Sequence, residues 1–207
     1  MPFGFGRKQD EAAVVPDARP ESLSTTTRLI AFQGFTEDWR LEGQVVLTGR
    51  LLEVLNQREP IAVTDVRWAP IDGHGTLAPA EGIGELDPYD LVVVIAGSGT
   101  LAATTDDERA AHRIHKVSFD VAVTAPPFRV VGSVQVHPGA VPESIMDRGG
   151  ALFAALTNAA VHHGDEAIEL GGASTVLVNR AYIREVVQVD LSTGLPYANL
   201  PRLGQSR

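Results

Sequence analysis

The residues best suited to chemistry are histidines and carboxylates. His162-His163-Gly164-Asp165-Glu166 brings two imidazoles and two carboxylates together, donor types that suit zinc or a similar ion. A metal site needs three or four donors converging, and neighbouring residues of an extended chain point to opposite faces. The segment therefore reads as a solvated turn. His112 and His115 can share a helix face near Asp107 and Glu108, but no third donor follows at a telling interval. His74 is a lone loop histidine. Gly97-Ser98-Gly99-Thr100 follows an apolar strand, yet a phosphate loop needs a longer glycine frame and a lysine, so this is a turn. There is no Gly-x-Ser-x-Gly elbow, and cysteine is absent, which removes thiolate ligands, a cysteine nucleophile and disulfides. The expectation is a protein without catalytic residues, metal ligands or cofactors.

Charge supplies the second candidate. From Trp68 to Glu108 there is no Lys or Arg, but there are eight acids: Asp72, Glu81, Glu85, Asp87, Asp90, Asp106, Asp107 and Glu108. They account for −8 of the net −9 and leave −1 for the rest. Such a surface repels phosphate backbones, so nucleic acid is a disfavoured partner. Asp72, Glu81, Glu85, Asp87 and Asp90 lie in a Gly- and Pro-rich stretch longer than a passive hairpin requires. They are the expected contacts for a basic protein partner. The carboxylates are not spaced as a calcium loop demands.

The elements that must carry these residues are mostly strands. Arg28–Phe32 and Trp39–Leu47 read as strands, the second with Gly43 marking a bend or bulge. Arg50–Asn56 places Leu51, Leu52 and Leu55 on one helical face. After Pro60, Ile61–Trp68 alternates as a half-buried strand, and Leu91–Ala96 is apolar enough to be covered on both faces. Thr105-Asp106-Asp107-Glu108 is a capping box for a short helix over 104–113. Strands follow at Lys116–Thr124 and Phe128–Val136.

The second half repeats the order of the first. Phe128-Arg129-Val130-Val131-Gly132 aligns with Trp39-Arg40-Leu41-Glu42-Gly43 without a gap, each an aromatic, an arginine and a glycine at the same interval. Pro142–Asp147 takes the slot of the first short helix, and Leu152–Val161 that of the strand containing Thr64-Asp65-Val66. Thr175–Asn179 answers Leu91–Ala96, and Ile183–Val189 adds one more strand. Taken alone, 151–163 is Ala- and Leu-rich and looks helical, which would make the fold α+β; the repeat favours a strand. The expected organisation is a flexible segment 1–26, a first β-barrel repeat 27–103, a linker helix 104–113, a second repeat 114–190 and a tail 191–207. Phe3 and Phe5 beside Arg7 and Lys8 in the leading segment offer a docking peptide. No signal-peptide core and no transmembrane stretch is present in the sequence, so the expected location is cytoplasmic.

This unit of strand, glycine-bearing strand, short helix, Thr-Asp/Asn strand and Val-rich closing strand resembles the small barrel of Sm-like proteins. Val176-Leu177-Val178-Asn179-Arg180-Ala181-Tyr182-Ile183 is similar to their closing motif, with Ala181 where the motif has glycine. The first half keeps Gly97 but lacks the arginine, and neither half carries a convincing Asp-x-x-x-Asn. The resemblance implies a mainly β fold of two tandem Sm-like barrels with short helices. Fold alone does not deliver function. The favoured expectation is a non-catalytic protein-interaction or assembly module, with exposed sheet edges inviting a homo-oligomer. The alternatives are an Sm-like RNA or nucleotide binder using Asn179 and Arg180, and a small metal-dependent enzyme centred on the histidines.

Overall fold

The computed structural model describes residues 27–72, 75–97 and 116–197. Twelve strands form one antiparallel sheet. The first half runs β1 (Arg28–Phe35), β2 (Trp39–Leu47), helix α1 (Leu51–Asn56), β3 (Ile61–Pro70), the short β4 (Ala78–Pro79) and β5 (Glu85–Leu86), and β6 (Val93–Ala96). The second runs β7 (Val117–Ala125), β8 (Phe128–Val136), β9 (Phe153–His163), β10 (Glu166–Ile168), β11 (Thr175–Asn179) and β12 (Glu185–Gln188). Turns of 3-10 helix occupy Pro88–Asp90 and Pro142–Met146.

Two bulges set the shape of the long hairpins. Asp65 and Val66 together oppose Gly43, between the pairs Glu42–Arg67 and Gln44–Thr64. Asn158 and Ala159 together oppose Gly132, between Val131–Ala160 and Ser133–Thr157. Asp65 (φ 53°) and Asn158 (φ 50°) adopt the left-handed conformation that starts each bulge, a region Asn and Asp enter more readily than other side chains. The opposing residue must be glycine: a Cβ on Gly43 would lie 2.9 Å from the Thr64 carbonyl oxygen, and one on Gly132 would lie 3.0 Å from that of Thr157. A bulge bends the strand and steepens its twist, which lets each half curl over a core.

Along the sheet the order is β12-β7-β8-β9-β11-β6-β1-β2-β3-β4. The first five strands belong to the second half and the last five to the first. They meet at a seam where β11 pairs with β6, from Thr175–Ala96 to Val178–Val93. Every residue of both seam strands is buried, so neither carries a charged side chain. Each core borrows across it. Phe35, Val92, Val93 and Ile95 pack among second-half residues such as Val121, Phe128 and Leu156. Leu152, Phe153 and Leu177 pack among Leu41, Leu47, Leu55 and Val63.

The fold is mainly β, with α1 the single α-helix among the described residues. The helical alternative for 151–163 is overturned: Phe153–His163 is a central strand paired on both sides. Burial between two neighbours outweighs the helix propensity of Ala and Leu there. The pairing also corrects one correspondence. Thr175–Asn179 is the neighbour of Val93–Ala96, not its counterpart. The strand that sits beside β7 as β6 sits beside β1 is β12. The linker helix 104–113 and the segment 1–26 lie outside the described residues, as does the tail beyond Tyr197.

Candidate functional site

Two features at the surface stand apart from ordinary packing. The first is a tryptophan pair. Trp39 opens β2 and Trp68 lies near the end of β3; their rings stack at 4.9 Å between centroids. Both are partly open to solvent, at 38% and 37%. In the other half Phe128 opens β8 as Trp39 opens β2, and Val161 lies three residues beyond Asn158 as Trp68 lies three beyond Asp65. There Phe128 is 1% exposed and Val161 0%. Phe35 from the first half meets Phe128 edge to face at 5.5 Å.

The second feature is a cavity of about 250 Å³ at the seam, with Arg58, Arg148 and Arg180 in its wall together with Tyr89 and Leu152. Arg58 directly follows α1 and its C-cap, held in the left-handed region (φ 64°) where glycine is usual. Its Nη2 donates to the Gly150 carbonyl at 2.5 Å. Arg180 Nη1 donates to the Asp147 carbonyl at 3.3 Å, while its buried Nε has no hydrogen-bond partner. Burial lowers the Arg180 pKa from its ordinary value, opposed by the nearby Asp147 charge. One Asp147 carboxylate oxygen accepts from the Gly149 N–H at 2.9 Å.

Asn179, at the end of β11 next to Arg180, is fully buried. Its Nδ2 donates to the carbonyls of Leu91 at 2.9 Å and Pro88 at 3.3 Å, and its Oδ1 accepts from the Ala181 N–H at 3.0 Å. The side chain ties the second half to the first. Asn56 does the reverse, accepting from the Phe153 N–H at 2.7 Å. Asn179 is thus a clamp at the seam, with its amide turned inward, and only Arg180 of the two reaches a cavity.

The acidic stretch is more structured than a loop. Asp87 caps the Pro88–Asp90 turn by accepting from the Tyr89 N–H at 2.9 Å. Glu85, Asp87 and Asp90 line a shallow groove with Gly82 and Gly84, while Asp72 and Glu81 lie on the turns before and after β4. His162 and His163 occupy successive positions of β9, opposite Ala167 and Glu166; His163 rests against the Phe128 ring at 5.8 Å. His74, His112, His115 and the run 98–100 lie outside the described residues. Among the described residues no three His, Asp or Glu are grouped to hold a metal, and no helix is long and apolar enough to cross a membrane.

Sequence reasoning named Trp39 as the aromatic matching Phe128 and Trp68 as the end of a strand, without bringing the two together. The usable signal was that the chain has two tryptophans in all, placed on strands bound to pair. Arg58 and Arg148 gave no signal, because nothing local says that they meet Arg180. The chain matches no protein-family model, no curated protein and no solved structure.

Proposed function

We propose that this protein is a non-catalytic assembly module whose two halves are tandem Sm-like units and whose copies join head to tail. One observation carries the reading. Trp39 and Trp68 are open to solvent at the register positions where Phe128 and Val161 are buried in the core that holds Phe35. What covers the second half at that place is the first half; a further copy covers the first half in the same manner.

The pairing supports this. Each half contributes five strands in the same order to the sheet, and the seam joins β11 of one to β6 of the other. By position, β4 is to the first half what β11 is to the second, and β12 matches β6. The two ends of the sheet therefore present the same kinds of edge that meet at the seam. Such a heterologous contact repeats until it closes into a ring or extends. Charge favours it too. Glu81 and Glu85 flank the β4 end, while Arg184 directly precedes β12 and Arg129 donates to the Gly194 carbonyl just beyond it. The basic partner expected for the acidic stretch is then another copy of the chain, steered by complementary charge.

Sedimentation velocity of the full chain across a concentration series tests this. Wild type is expected to sediment as an oligomer, and the double substitution Trp39→Ser, Trp68→Ser as a single chain with an unchanged circular dichroism spectrum. A wild-type protein that stays a single chain at every concentration overturns the reading. So does an oligomer that ignores the double substitution.

A further inference from the structure

We propose that the seam cavity bounded by Arg58, Arg148 and Arg180 is a binding site for the phosphate of a small phosphomonoester. The inference is independent of the assembly reading. Three arginines line one cavity of a chain whose net charge is −9. Among the described residues none of the three pairs with a carboxylate; the ion pairs are Arg40–Glu42 and Arg50–Glu53. Arg148 makes no hydrogen bond there. Arg58 and Arg180 bond only to main-chain carbonyls, and the Arg180 Nε is buried with its N–H unused. The nearby Asp147 carboxylate offsets part of the charge on Arg180, but three like charges outnumber it, and a buried donor without a partner adds to the imbalance. A multiply charged oxyanion relieves both at once.

The chemistry of the ligand follows from the donors. A carboxylate is satisfied by one guanidinium fork, whereas a phosphomonoester carries close to two charges and three strong acceptor oxygens. That number suits three arginines converging from different segments. The cavity, about 250 Å³, lies just under the ~300–1,000 Å³ usual for drug-sized ligands, so the organic part is small. Leu152, Ala151 and Ala181 supply an apolar wall for it, with the ring of the partly exposed Tyr89 beside them. Arg58 and Tyr89 come from the first half and Arg148 and Arg180 from the second. A bound phosphate therefore bridges the seam and stabilises the folded chain in proportion to its occupancy.

Isothermal titration calorimetry of the full chain, at constant ionic strength, tests the site with inorganic phosphate, with uridine monophosphate and with an unphosphorylated oligouridylate. Saturable binding of phosphate and of the monoester is expected, the monoester tighter. Arg148→Gln removes a side chain that holds nothing else in place, and is expected to weaken both by about tenfold or more, the loss of one charge-assisted contact. Arg40→Gln, in the Arg40–Glu42 ion pair on β2, is expected to leave both unchanged. If phosphate binds and the monoester is no tighter, the ligand is the free ion and the organic-pocket part of the proposal falls. Binding confined to the oligouridylate, with a steep salt dependence, overturns the proposal in favour of a backbone-tracking surface. An absence of saturable binding, or binding indifferent to Arg148→Gln, overturns it outright.

Discussion

Trp39 and Phe128 open corresponding strands, follow corresponding turns and precede bulges of the same form, yet one is open to solvent and the other is among the most buried residues of the chain. The difference is not in the strands. Phe128 has Phe35 from the other half against its ring, and among the described residues the ring beside Trp39 is that of Trp68. What buries a position here is therefore the neighbour that the seam supplies, and among the described residues the first half has no such neighbour.

The largest effect expected from this contrast is in Phe128→Ala, which should lose about 3–5 kcal/mol of stability through lost burial and a cavity. Trp39→Ala should lose only about 0.5–1.5 kcal/mol, the worth of an aromatic contact at a partly open site. Chemical denaturation at low concentration measures both. Equal losses in dilute solution would place Trp39 in a closed core and end the contrast. A cost for Trp39→Ala that grows with protein concentration would instead locate its missing neighbour in another copy.

The seam itself comes next. Asn179→Ala strands the Leu91 carbonyl and the Ala181 N–H, while the Pro88 carbonyl keeps the Leu91 N–H, and should cost about 2–4 kcal/mol, since each buried unsatisfied group costs ~1–3 kcal/mol less what water recovers. Asn56→Ala strands a single N–H, and about 1–2 kcal/mol is expected on the same scale. Denaturant midpoints give the ranking. A reversed order would mean that the first half holds the second more firmly than the second holds the first.

Then come the glycines. Gly43→Ala and Gly132→Ala each press a methyl group on main-chain atoms at about 3 Å. Each should cost about 1–2 kcal/mol, overpacking partly offset by the reduced freedom of the unfolded chain. Equal costs would support equivalent bulges. A tolerated substitution in one half alone would show that its hairpin is free to flatten.

The bulge at Gly43 was legible because a glycine inside an alternating strand marks one, and Gly132 shared its interval from an aromatic; the facing Thr-Asp-Val and Thr-Asn-Ala came only with the pairing. The strand at 153–163 was legible only by analogy with Ile61–Trp68, since its own composition favours a helix. Matching Thr175–Asn179 to Leu91–Ala96 failed for a physical reason. Two strands buried on both faces acquire the same apolar composition whether they are counterparts or neighbours. The seam cavity was illegible, because Arg58 and Arg180 are brought together by pairing across more than a hundred residues. Asn179 stood out in the sequence as part of the closing motif and a candidate RNA contact, whereas its amide serves the interior.

The smallest expected effect bears on the same equivalence from the opposite strand. Asp65 and Asn158 hold φ values of 53° and 50°, where a side chain costs something that glycine does not pay. Replacing either by glycine relieves that strain but adds freedom to the unfolded chain. The two effects nearly cancel, and Asp65→Gly and Asn158→Gly should each fall within about 1 kcal/mol of wild type. Gln44 Nε2 donates to Asp65 Oδ2 at 3.4 Å, a long contact at an exposed place that adds little. The informative quantity is the agreement between the two substitutions in thermal unfolding. Shifts of the same sign and similar size would mean that both bulges are set by backbone conformation. A loss confined to Asp65→Gly would mean that the carboxylate does more there than occupy a turn, and the likeness of the halves would stop at the backbone.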